Sequence, residues 1–241
     1  MRALILAAGR GTRLGGDGEG PKCLTRVGDR ALVDRYLDAL DALNVPATIV
    51  VGHGAALVEK HVAARSNPPT LVLNPRYREG SVVSLEAGLS AVARDVTAGE
   101  RAAAVLVMDG DVAFTPELLR RFAEADASDA LLVDVGTSFT DEQYMAGLRG
   151  DRVVALRRGP ADGHDAQGEW VGFTRLTAPT AARFHAEVSM QIARGETAGG
   201  YEDALAGLLD DIAFSAVPTG GLPWVEIDFA ADLARARHLF E

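Results

Sequence analysis

The stretch LAAGRGTRLGGDGEGPK, residues 6–22, decides how the rest of the chain is read. It opens as the end of an apolar run, residues 3–8, and breaks into a glycine-rich loop carrying Arg10 and Arg13. Lys22 follows directly behind Pro21. Glycines lack a Cβ, so backbone N–H groups in such a loop can close around phosphate oxygens while the cations neutralise their charge. Lys22 and Lys60 are the two lysines of the chain, and the remaining strongly basic side chains are arginines. The pattern points to a triphosphate-binding loop. Two better-known loops do not fit. Gly9, Gly11 and Gly15 give GxGxxxG, one residue longer than the dinucleotide fingerprint, and a second strand ends at Gly52-His53 where a ribose-binding acid would stand. A P-loop requires GxxxxGK[ST], whereas Pro21 and Cys23 flank Lys22 here. An ordinary strand-to-helix turn with surface arginines is the plainer alternative, and Arg13 with the Pro-Lys pair weighs against it.

Bulk composition agrees with a compact enzyme. The 241 residues are 48% hydrophobic, enough for one substantial core. No apolar run approaches the length of a membrane span, and Met1-Arg2 leads straight into the first strand without a signal-peptide pattern. A single cysteine, Cys23, forms no intramolecular disulfide and fits a cytoplasmic location; it reads as a small buried residue beside Lys22. The net charge of −10 argues against nucleic acid as a partner, which asks for a basic surface. It does not argue against one nucleotide, because Arg10, Arg13 and Lys22, with Arg76 and Arg78, make the loop region basic.

Strands and helices alternate along the first half. Short apolar runs at 3–7, 48–51, 70–73 and 103–108 read as buried strands. Between them, 32–43, 55–64 and 81–93 carry helical spacing, with Ser81 expected as an N-cap. Such βα succession predicts an α/β fold on a mainly parallel sheet with right-handed crossovers. Ligands in these sheets gather at the carboxyl ends of strands, so Gly9, Asn74 and Asp111 are expected to share one crevice. The second half predicts strands at 130–135, 145–148, 152–156, 170–176, 212–217 and 224–227, and helices at 179–193, 201–209 and 229–239. Residues 159–168 read as a glycine-rich loop. One domain over 1–241 is expected, with a nucleotide-binding half, 1–115, and an acceptor-binding half, 116–241.

Two carboxylate groups stand out. Met108-Asp109-Gly110-Asp111 closes a buried strand beside the expected phosphate site. Far along the chain, Trp224-Val225-Glu226-Ile227-Asp228 places Glu226 and Asp228 on one side of a strand by alternation. A hard cation such as Mg²⁺ takes oxygen ligands and needs one or two carboxylates. Either group alone is equally a turn or a helix cap; Asp228 in particular stands where it could cap the last helix.

The G-x-G-T-R-L loop of Gly9, Gly11, Thr12, Arg13 and Leu14, followed by Pro21-Lys22, resembles the nucleotidyltransferase superfamily that activates sugar and alcohol phosphates. The segment Asn74-Pro75-Arg76-Tyr77 with Ser81, Ser84 and Leu85 is similar to that of bacterial phosphocholine and phosphonate cytidylyltransferases. So are Gly168 to Phe173, Ala178 to Ala181, and Tyr201-Glu202-Asp203, in the same order from Leu6 to Leu239. The resemblance implies a three-layer, Rossmann-like GT-A fold with a mixed, mainly parallel sheet. It implies Mg²⁺ held by Asp111 and Asp228 with Asp109 in support. It also implies attack of an acceptor phosphate or phosphonate oxygen on the α-phosphorus of a nucleoside triphosphate. The nucleophile is already an anion, so no general base is required, and Arg13 and Lys22 are the expected catalytic cations. Leu6, Ala7, Ala8, Gly9, Gly11, Thr12, Asn74, Gly80, Ser81, Ser84 and Asp109 would join them in holding the nucleotide.

CTP and a small alcohol phosphate or alkyl phosphonate are the substrates this resemblance favours. Choline is not supported, because a quaternary ammonium asks for an aromatic cage and the chain is only 6% aromatic. Tyr144, Trp170, Tyr201 and Trp224 are the available rings, and packing accounts for each of them equally well. Glu169, Tyr201, Glu202 and Glu226 are the candidates for binding the acceptor, with carboxylates suited to an amine or to hydroxyls. A sugar- or cyclitol-1-phosphate nucleotidyltransferase using UTP, GTP or CTP is the rival with the same loop. A non-catalytic nucleotide-binding module would predict loss of Lys22 or an aspartate, and all are present. A homodimer is compatible with this class, and the residues do not decide it.

Overall fold

The computed structural model describes residues 1–14, 20–97, 104–135, 143–161 and 163–240. Gly15, the side chain of Thr12 and the first residue of the strand expected at 103–108 lie outside what is described. The first half runs β1 (Arg2–Ala7), a small hairpin β2 (Arg26–Val27) and β3 (Arg30–Ala31), α1 (Leu32–Ala42), β4 (Ala47–Val51), α2 (Ala55–Val62), β5 (Thr70–Leu73), α3 (Ser81–Thr97) and β6 (Ala104–Asp109). The second half runs β7 (Val112–Phe114), α4 (Pro116–Glu124), β8 (Ala130–Asp134), β9 (Tyr144–Arg149), β10 (Arg152–Arg158) and β11 (Ala166–Thr177). It closes with α5 (Ala178–Ala193), α6 (Glu202–Leu208), β12 (Phe214–Pro218), β13 (Trp224–Glu226) and α7 (Ala230–Phe240).

One nine-stranded sheet spans both halves in the order β5-β4-β1-β6-β11-β8-β12-β10-β9. β10 and β11 run against the other seven strands, so the sheet is mixed and mainly parallel in direction. Successive strand residues point to opposite faces, and β1 divides its side chains accordingly. Ala3, Ile5 and Ala7 join a core with Val33, Tyr36, Leu37 and Leu40 of α1, Val58 of α2 and Phe122 of α4. Leu4 joins the opposite core with Val82, Leu85 and Leu89 of α3 and Phe184 and Val188 of α5. The result is helix, sheet, helix.

Three local features depart from the sequence expectation. Residues 112–124, assigned no element from the sequence, contain a strand and a helix. Thr115-Pro116 starts α4 with proline in its first turn, where the missing N–H costs nothing, and Leu118, Leu119 and Phe122 bury its inner face. Second, Ser81 is the first residue of α3, not its cap; its hydroxyl accepts from the Tyr201 backbone N–H at 3.2 Å. Third, the loop expected to Gly168 ends at Ala166, where β11 begins and pairs with β9.

A small third core fixes the far end of the chain against the first half. β13 pairs antiparallel with β7, setting Trp224 opposite Phe114, Val225 opposite Ala113 and Glu226 opposite Val112. Val225, Ile227 and Ala236 pack with Val27, Leu32 and Ala113. The Ile227 N–H then donates to the Asp111 carbonyl at 3.0 Å. These contacts carry Asp228 to Asp111 across more than a hundred residues.

Candidate active site

The carboxyl end of β6 is shaped by a tight approach to β1. Gly110 N–H donates to the Leu6 carbonyl at 3.0 Å, and a Cβ at Gly110 would stand 2.7 Å from that same oxygen. Only glycine fits there, and the turn throws Asp109 and Asp111 to different surroundings. The Asp109 carboxylate turns inward, with Oδ1 accepting from the Tyr201 hydroxyl at 2.8 Å. Burial, then the neighbouring Asp111 and Glu202, push its pKa well above the usual carboxylate range. Asp111 faces the cleft.

Lys22 reaches Asp111 from the other side. Its Nζ lies 2.8 Å from Asp111 Oδ2 and 2.7 Å from Asp228 Oδ1. Burial alone would lower the ammonium's pKa, but the two carboxylates outweigh it and leave the value raised. Arg13 meets the other Asp228 oxygen at 3.2 Å and lies over the Phe229 ring. Asp228 does not cap α7. That task falls to Asp232, whose carboxylate accepts the backbone N–H groups of Asp228 and Phe229 at 3.2 and 2.8 Å.

Glu226, expected with the acceptor residues, lines the larger chamber and also lies close to Asp111 and Asp228. One oxygen from each of the three falls within 4.8 Å of the others. Loss of water, then the charges of Asp111 and Asp228, push Glu226 up to about 8. Three hard oxygen donors so close repel one another, and Asp111 Oδ1 is buried without a hydrogen-bond partner among the described residues. Donor type and crowding both fit a divalent ion of the Mg²⁺ class.

Two chambers meet here. The smaller, about 280 Å³, is walled by Leu6, Ala7, Ala8, Tyr77, Arg78, Gly80 and Ser84. The larger, about 960 Å³, reaches Tyr144, Arg158, Glu169, Trp170, Glu202 and Trp224. Gly9, Lys22, Ser81, Asp109 and Asp111 border both, while Gly11, Arg13, Glu226 and Asp228 border the larger. Asn74 is not on either wall. It is 2% exposed, its amide donating to Ser84 Oγ at 3.0 Å and accepting from the Arg76 N–H at 2.9 Å. Its place is under the small chamber, where it orients Ser84. Arg76 is neutralised by Glu79 at the surface, so of these two arginines it is Arg78 that lines the chamber, which Lys22 also borders. Cys23 is buried beside Lys22, and burial pushes its thiol up to about 12, which leaves it inert.

At the far end of the larger chamber, Glu169 and Asp134 are opposite each other on β11 and β8. Burial pushes Glu169 up to about 7; Asp134 adds to this, and Gln143 and Arg235 oppose it. Trp224 Nε1 donates to Asp134 Oδ2 at 2.7 Å. The rings of Tyr144, Trp170 and Tyr201 form an edge-to-face chain. Tyr201 is 1% exposed and its hydroxyl is committed to Asp109, so it forms the floor. Trp224 is among the available rings named from the sequence but Asp134 is not, although a carboxylate at the end of a buried strand is the signal that applied to Asp109.

Residues 3–195 match the MobA-like NTP transferase domain. The chain belongs to that family. Among solved structures, this MobA-like transferase is similar to the CTP:phosphocholine cytidylyltransferase of Streptococcus pneumoniae, with a TM-score of 0.76 and 18% identity over 100% of this chain and 99% of that one. It is similar also to the inositol-1-phosphate CTP transferase of T. maritima, with a TM-score of 0.74 and 20% identity over 99% and 94%. Both likenesses concern the fold. A shorter match, 45% identical over 65 residues, is to the N-acetylmuramate alpha-1-phosphate uridylyltransferase of Caulobacter vibrioides. It spans 26% of this chain and 27% of that protein. Nucleotidyl transfer is therefore the activity of the family. Among the described residues, no helix is long and apolar enough to cross a membrane.

Proposed function

We propose that this MobA-like transferase joins CTP to a small alcohol phosphate or alkyl phosphonate and releases pyrophosphate. The observation that carries the reading is the pair of chambers sharing the wall of Gly9, Lys22, Ser81, Asp109 and Asp111. Two substrates held in two chambers would meet at that wall. The small chamber, bordered by Tyr77, Arg78, Ser81 and Ser84, suits a pyrimidine nucleoside, with Ser81 and Ser84 offering hydroxyls to the base. The backbone of Gly9 and Gly11 would approach the phosphates closely.

Asp111, Glu226 and Asp228 would hold Mg²⁺, which supplies Lewis-acid polarisation of phosphoryl oxygens when bound. The acceptor's anionic oxygen attacks the α-phosphorus, the new P–O bond forms, and the bond to the β-phosphate breaks with its electrons leaving on pyrophosphate. Lys22 and Arg13 stabilise the charge that moves to the leaving group. Asp109, held by Tyr201, keeps the turn under Asp111 in place. Positioning and charge do the work, and no side chain is asked to remove a proton.

Glu169 and Glu202 would receive the far end of the acceptor, as an amine or as hydroxyls. The second reading, a sugar- or cyclitol-1-phosphate acceptor with UTP, GTP or CTP, is favoured by the 65-residue match to the uridylyltransferase. Pyrophosphate release with Mg²⁺ across CTP, UTP, GTP, ATP and dTTP separates the two. The acceptor panel holds phosphocholine, phosphoethanolamine, 2-aminoethylphosphonate, 2-hydroxyethylphosphonate, glucose 1-phosphate and inositol phosphate. Turnover with CTP and an alkyl phosphate or phosphonate is expected. Turnover confined to the sugar and inositol phosphates overturns the first reading in favour of the second.

A further inference from the structure

The Lys22 ammonium sits where a cation is needed most. Its Nζ bridges Asp111 Oδ2 and Asp228 Oδ1 at 2.8 and 2.7 Å, and its side chain is only 12% exposed. Those are two of the three carboxylates whose oxygens converge within 4.8 Å. Arg13 meets Asp228 from the solvent side, 59% exposed, and touches neither Asp111 nor the bridge between them. The ammonium thus holds together two carboxylates that would otherwise repel at close range. An ammonium at hydrogen-bond distance from both and a divalent ion on the same two carboxylates compete for the same oxygens.

We propose that Lys22 has two alternating partners: in the metal-free enzyme its ammonium bridges Asp111 and Asp228, and binding of metal and triphosphate transfers it to the phosphates. This rests on the metal-dependent transfer proposed above. The nucleotide withdraws the competitor from the carboxylates, and the metal releases the lysine for the nucleotide. Each ligand therefore tightens the other, because coupling of two binding equilibria is reciprocal. Lys22 has a role before chemistry begins, as the stand-in cation that keeps the site assembled while empty.

The test is Mn²⁺ binding to nucleotide-free protein, followed by electron paramagnetic resonance. Wild type is compared with Lys22→Met and with Arg13→Met, the latter removing the same charge without vacating the bridge. Urea midpoints check that each variant is folded, and Lys22→Gln replaces Lys22→Met if the latter is not. Lys22→Met is expected to bind Mn²⁺ about tenfold tighter or more. Arg13→Met is expected to gain about threefold or less, as befits an exposed pair. Unchanged or weaker binding in Lys22→Met overturns the proposal. So does an equal gain in Arg13→Met, which would show a diffuse field and no shared position. Absence of Mn²⁺ binding in wild type and both variants overturns the metal reading itself along with it.

Discussion

The Tyr201 hydroxyl donates to Asp109 Oδ1 at 2.8 Å, joining the start of α6 to the end of β6. Tyr201 is buried and Asp109 half-buried where the contact ties these two segments. Removing the hydroxyl leaves a half-buried carboxyl short of a donor, which costs more than the bond itself contributes. Tyr201→Phe should lose about 1–3 kcal/mol of stability. Urea unfolding measures it, and a midpoint equal to wild type would show that Asp109 finds another donor.

Much of this architecture was legible from the chain. The apolar runs of β1, β4, β5 and β6 and the helical spacing of α1 to α3 are local signals, and the elements stand within a few residues of their expected bounds. The pairing of β7 with β13 was not legible, because three apolar residues carry no period and their partner lies far along the chain. That pairing is what brings Glu226 to Asp111, so their proximity was hidden as well. The same holds for Asn74. Its position after a strand was readable, but its burial depends on how Ser84 folds back over it.

Glu169 should give the protein a pH dependence of its own. Its carboxyl is pushed up to about 7, mainly by burial, whereas an unfolded chain ionises it near the ordinary value of ~4.3. Between those values the native state keeps a proton that the unfolded state has released, so stability falls as pH rises through the window. The effect should be ~2 kcal/mol after allowing for water in the cleft. Glu169→Gln should flatten that slope in urea midpoints measured from pH 5 to pH 8. If the acceptor carries an amine, its KM should also fall over the same range in wild type and not in the variant.

Gly80 was expected to touch the nucleotide, and its conformation gives it a different necessity. Its φ of +133° is a region that side chains rarely adopt, and a Cβ there would overlap the Thr197 carbonyl. Gly80→Ala must displace the strand of backbone at 197–199 or unwind the turn into α3. A loss of about 1–3 kcal/mol is expected, with a raised KM for the nucleotide because Ser81 moves with the turn. An unaltered urea midpoint would show that the turn relaxes without cost.

Asp228 and Asp232 separate the chemistry of the site from its scaffold. Asp232 accepts the two backbone N–H groups that open α7, so Asp232→Ala should cost about 1 kcal/mol as a lost helix-start contact. Asp228 makes no such bond with its side chain. Its oxygens face Lys22 and Arg13, among carboxylates that repel it, so Asp228→Asn should leave the protein as stable as before or slightly more so. Turnover should nevertheless fall about 100-fold or more, since a neutral amide is a poor ligand for a divalent ion and a poor partner for Lys22. Pyrophosphate release and urea midpoints on the two variants give opposite patterns if the assignment is right. Loss of stability in Asp228→Asn with turnover retained would return that residue to a structural role and remove it from the metal site.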